Sequence, residues 1–114
     1  MANLTNETIT TVFNLQRRLL QLINQATAAG QIILEQYGET EATSIALNQL
    51  QNVRERATSY YIRLYRLLLQ IAESQPVATS ATLNLLAQSI EETQAIADAG
   101  EATVQEAKSD FNLP

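Results

Sequence analysis

Arg17, Arg18, Arg63 and Arg66 are the residues in this chain best equipped for chemistry. A guanidinium presents a planar fork of N–H donors that suits a phosphate or a carboxylate. Tyr60, Tyr61 and Tyr65 stand beside two of these arginines and offer ring faces on which a base could stack. Together they define a candidate site for an anionic ligand or nucleic acid. The competing reading is pairing within the chain to Glu91 and Glu92, with the arginine stems lying over apolar surface. Net charge weighs against nucleic acid. Seven Lys+Arg against twelve Asp+Glu leave −5, and a net-negative chain has little non-specific attraction for a polyanion.

Other chemistry is poorly supplied. The 114 residues include no Cys and no His. That removes thiol nucleophiles, disulfides and thiolate metal sites, together with the commonest catalytic base and transition-metal ligand. Neither a GxGxxG nor a GxxxxGK[ST] loop occurs, so the usual phosphate cradles are missing. Asp98-x-x-Glu101 and Glu106-x-x-x-Asp110 could hold a hard cation weakly, but a solvated acidic face is the simpler reading. The expectation is a non-enzymatic protein with no catalytic residues, no metal and no cofactor.

The elements that must position these side chains are helices. Only Gly38-Glu39-Thr40 and Ser74-Gln75-Pro76 look like breaks. They predict helices over about 5–37, 41–75 and 79–110, within a single domain spanning 1–114. Thr5, Thr40 and Thr79 or Ser80 suit N-caps, and Gly38 suits a left-handed C-terminal position. The apolar steps alternate three and four without a skip. Helix one reads Val12, Leu15, Leu19, Leu22, Ala26, Ala29, Ile33. Helix two reads Ala46, Leu50, Val53, Ala57, Tyr60, Leu64, Leu67, Ile71. Helix three reads Leu83, Leu86, Ile90, Thr93, Ala97, Gly100, Val104, Ala107, Phe111. This is the seam of helices packed at shallow angles. Short connections make neighbours antiparallel, so the chain should be all-α: an elongated up-down-up three-helix bundle about 50 Å long.

Loop positions then set heights along the bundle. Helix-one and helix-two residues whose numbers total about 78 should be level, and for helices two and three the total is about 153. Helix two is arginine-rich and helix three acidic. Level matching therefore predicts Arg63 or a helix-one arginine near Glu91 or Glu92, and Arg54 or Arg56 near Asp98 or Glu101.

Helix two carries more apolar residues than a seam requires. Tyr61, Ile62, Tyr65, Leu68 and Leu69 lie off the seam, as do Phe13 and Leu20 of helix one. Large exposed apolar patches are uncommon on monomers. These seven residues are therefore the candidate self-association surface, with a homodimer as the first expectation and another protein as the second. Small residues cluster at Ala26, Ala28, Ala29, Gly30 and again at Ala95, Ala97, Ala99, Gly100, Ala102. They predict either close helix approach or a layer able to carry a small apolar ligand. Residues 1–20 lack the pattern of a secretory signal, and Tyr60 to Ala72 falls short of the ~20 apolar residues that span a bilayer. The expected location is the cytoplasm, away from membranes.

Overall fold

A computed structural model describes residues 4–114. Three helices form: α1 (Asn6–Tyr37), α2 (Glu41–Glu73) and α3 (Ser80–Asp110). Each begins where a threonine hydroxyl takes up an orphan amide. Thr5, Thr40 and Thr79 accept from the N–H groups of Thr8, Thr43 and Thr82 at 3.0, 3.1 and 3.2 Å. At α2 the arrangement is reciprocal, because the Thr40 N–H donates to Thr43 Oγ1 at 2.7 Å. Gly38 ends α1 with φ +68 and donates its N–H to the Leu34 carbonyl at 3.0 Å. That backbone conformation favours glycine.

α2 stops at Glu73, two residues short of the expected boundary. Ser74 is already extended and its hydroxyl donates to the Gln70 carbonyl at 2.7 Å. Pro76 disfavours helical geometry at Gln75, and the serine side chain closes the helix one residue before that restriction begins. Ala78, in the connection, is buried.

The helices pack as an up-down-up bundle in which every pair is in contact. Its extents are 56 × 20 × 17 Å. The whole α1 seam from Val12 to Ile33 is buried, as is the α2 seam apart from a half-buried Tyr60. α3 differs at its start. Thr82 and Ser89 are buried while Leu83 and Ile90 are half-buried. Opposite them α2 presents Leu64, Leu67 and Ile71, all buried. Bulk on α2 is matched by small side chains on α3, which keeps the interior close-packed. The buried hydroxyl of Thr93 donates to the Ser89 carbonyl at 2.6 Å, as a buried polar group must.

The expected α2–α3 level holds. A Cβ built on Gly100 would lie 3.2 Å from Val53 Cγ1. The α1–α3 level is displaced. Chaining the two loop-based totals puts Gly100 beside Gln25, but that Cβ would meet Leu22 Cδ2 at 2.6 Å. Loop lengths constrain only consecutive helices, so the third pair settles by packing.

Candidate functional site

Two surfaces stand out along the flanks of α2, and they share Ile62 on its outward side. The first is the α1–α2 face. Phe13 and Leu20 are 57% and 52% exposed, and Ile62, Tyr65 and Leu69 are 38%, 51% and 44% exposed. Phe13 and Leu20 are seven residues apart, as are Ile62 and Leu69, so each pair repeats along one helix face. The α1–α2 level sets Phe13 beside Tyr65. All five are exposed and lie in the half of the bundle nearer Pro76.

Two of the seven expected surface residues are placed differently. Leu68 is 8% exposed and belongs to the core, and Tyr61 is half-buried against it. Both lean toward α1, whose close packing widens the buried face of α2 beyond the heptad seam.

The second surface is a groove between α2 and α3, also near Pro76, of about 570 Å³. Ile62, Leu67 and Leu85 line it together with Arg63, Arg66 and Glu92. Arg63 Nη1 donates to Glu92 Oε2 at 3.0 Å, which meets the expectation for that pair. Its guanidinium also lies 4.8 Å from the centre of the Tyr60 ring, and the Tyr60 hydroxyl donates to the same Oε2 at 3.2 Å. Arg66 has no ion pair among the described residues.

The four arginines do not meet in one cluster. Arg17 is exposed on α1. Arg18 turns to the α1–α3 side, where Nε and Nη2 donate to the two Glu101 oxygens at 2.8 and 2.6 Å and Nη2 also meets Asp98. The expected partners of those carboxylates were Arg54 and Arg56. Arg54 pairs instead with Glu55 of its own helix at 3.7 Å. Arg54 lines the α1–α2 side with Thr27 and Gly30, away from α3, while the displaced α1–α3 level brings Asp98 and Glu101 within reach of Arg18.

The bidentate hydrogen bond from Arg18 holds the Glu101 carboxyl below its ordinary value near 4.5, against a smaller opposing effect of burial. A depressed carboxylate contributes stability that is present above about pH 4.5 and is lost as pH falls through the lower folded value. Glu101 is 40% exposed, so solvent screening keeps this contribution under about 1 kcal/mol. Urea unfolding should show Glu101→Gln destabilised relative to the parent chain at pH 7, with the gap closing at pH 2–3. An equal gap at both pH values would assign the loss to packing.

The small-residue layer packs closely on its inner side, while Ala99 and Gly100 also line an outer depression of about 230 Å³. Gly100 brings the α3 backbone against Leu22 and Val53, and both side chains are buried. Gly30 has ordinary space, with Leu47 Cδ2 3.5 Å from a built Cβ. Among the described residues no group of three or more Asp or Glu could hold a metal ion. No helix among them is long and apolar enough to cross a membrane.

Sequence reasoning missed the α2–α3 groove. The signal available was Leu85, an apolar residue off the α3 seam, level with the outward-facing Arg66. The chain matches no protein-family model, no curated protein and no solved structure.

Proposed function

We propose that this chain is a non-enzymatic helical interaction module, working in the cytoplasm, whose α1–α2 face joins it to a second copy of itself. The observation that carries the reading is the shared exposure of Phe13, Leu20, Ile62, Tyr65 and Leu69.

The long shape leaves room for such a contact. The chain exposes 7098 Å², whereas a compact monomer of 12.6 kDa exposes about 6,200 Å². The excess of roughly 900 Å² follows from the elongated 56 × 20 × 17 Å shape, whose long sides leave room for the ~800 Å² that each partner gives to a standard interface. Each of the five side chains is about half exposed, so covering it is worth about 1 kcal/mol, and both copies contribute five. That total can offset the roughly 4–15 kcal/mol cost of immobilising two molecules. A two-fold axis is the commonest way to join identical faces.

A dilution series followed by nuclear magnetic resonance tests the assignment of the face. Signals from Phe13, Leu20, Tyr65 and Leu69 should shift with concentration while those of Thr103 and Ile45 stay fixed. Shifts confined to another face would assign association elsewhere, and a series with no shifts would leave the apolar face to a different protein.

A further inference from the structure

The α2–α3 groove combines three features that belong together in a ligand site. Its volume of about 570 Å³ falls within the ~300–1,000 Å³ of small-molecule sites. Its lining includes the apolar Ile62, Leu67 and Leu85. Arg66, also in the lining, lacks a carboxylate partner. Arg63 stands one turn away with its charge engaged by Glu92, so Arg66 supplies the cation that is free for a ligand.

We infer that this groove binds an anionic amphiphile, specifically an alkyl carboxylate, with its head on Arg66 and its tail along Ile62 and Leu85. Charge complementarity selects the head. A carboxylate matches the guanidinium fork, and a cationic head would be repelled. The apolar lining selects the tail, because Leu85 is exposed and gains by being covered. From Arg66 back to Ser59 the groove follows seven residues of α2, roughly 10 Å at the helical rise. That length suits an extended alkyl chain of medium size. Ile62 is common to this groove and the α1–α2 face, whereas Leu85 and Arg66 belong to the groove alone, so changes at those two alter this site without altering self-association.

Sodium decanoate below its micelle concentration is the probe, with sodium acetate as the head without a tail and decyltrimethylammonium as the tail with the opposite charge. Methyl signals of Ile62, Leu67 and Leu85 and the Nε–H of Arg66 should shift with decanoate and stay unmoved by acetate. Arg66→Gln should weaken decanoate binding roughly tenfold or more, since it removes a charged hydrogen bond. Leu85→Gln should weaken it as well. Both positions are exposed, so helical content should be retained, and neither variant should change the mass in solution. Decanoate shifts that appear only at Phe13, Leu20 and Tyr65 would overturn the assignment. Equal binding by the parent and Arg66→Gln, or equal shifts with decyltrimethylammonium, would overturn it too.

Discussion

Gly100→Val is expected to destabilise the bundle by about 3 kcal/mol, and Gly100→Ala by about 1 kcal/mol. The first added carbon would lie 2.6 Å from Leu22 Cδ2 and 3.2 Å from Val53 Cγ1. Leu22 is 1% exposed, so its side chain cannot swing into solvent and must shift within a close-packed interior. Overpacking of this kind costs roughly 1–3 kcal/mol. Alanine recovers about 1 kcal/mol of helix propensity, which leaves a smaller net loss. Gly30→Ala is the matched control, with its nearest neighbours at 3.5 and 3.9 Å. It should gain about 1 kcal/mol, because it meets ordinary contact and improves the helix. Thermal unfolding at a fixed protein concentration would move in opposite directions for the two alanine variants, by about 4 °C per kcal/mol. Leu22→Ala should cost less in the Gly100→Ala background than alone, since the new methyl enters the space it vacates. If Gly100→Ala were stabilising, the layer would hold spare volume, and close packing between α1 and α3 would be the wrong description.

Ile62→Glu together with Leu69→Glu should abolish self-association while leaving the fold intact. Both positions are exposed on the single chain, so neither change opens the core. The carboxylate introduced by Ile62→Glu would stand four residues before Arg66, a spacing that favours the helix. In the proposed dimer the same two changes put four carboxylates into an apolar contact. Losing the burial of four half-exposed side chains at about 1 kcal/mol each raises Kd by roughly a thousandfold. Circular dichroism should keep its helical shape, and the sedimentation coefficient should fall to that of one chain. A variant that kept the parent's association would show that the α1–α2 face is not the interface. A variant that lost its helices would show that Ile62 and Leu69 serve the core.

Much of this architecture was legible because helix geometry is local. The three-four alternation named the buried seam of α1 residue by residue, and threonines at three helix starts named the caps. The loops fixed the level of α2 against its two neighbours, so Arg63 met Glu92 and Gly100 met Val53 as expected. The rest depends on packing that no local pattern contains. Leu68 sits off the heptad seam, yet α1 approaches closely enough to bury it. Thr82 and Ser89 are polar, yet they face the core because α2 is bulky there. Arg18 reaches Asp98 and Glu101 because α1 and α3 share no connection and slide to fit. The α2–α3 groove was hidden for the same reason: its walls come from two helices, and neither stretch alone marks a cavity.

The central claim is that this chain works as a module joined to its own copy, and its mass in solution tests that most directly. Sedimentation equilibrium over a wide concentration range should give an average mass that rises toward twice the 12.6 kDa of one chain and falls back on dilution. A constant 12.6 kDa up to the highest soluble concentration would contradict the claim.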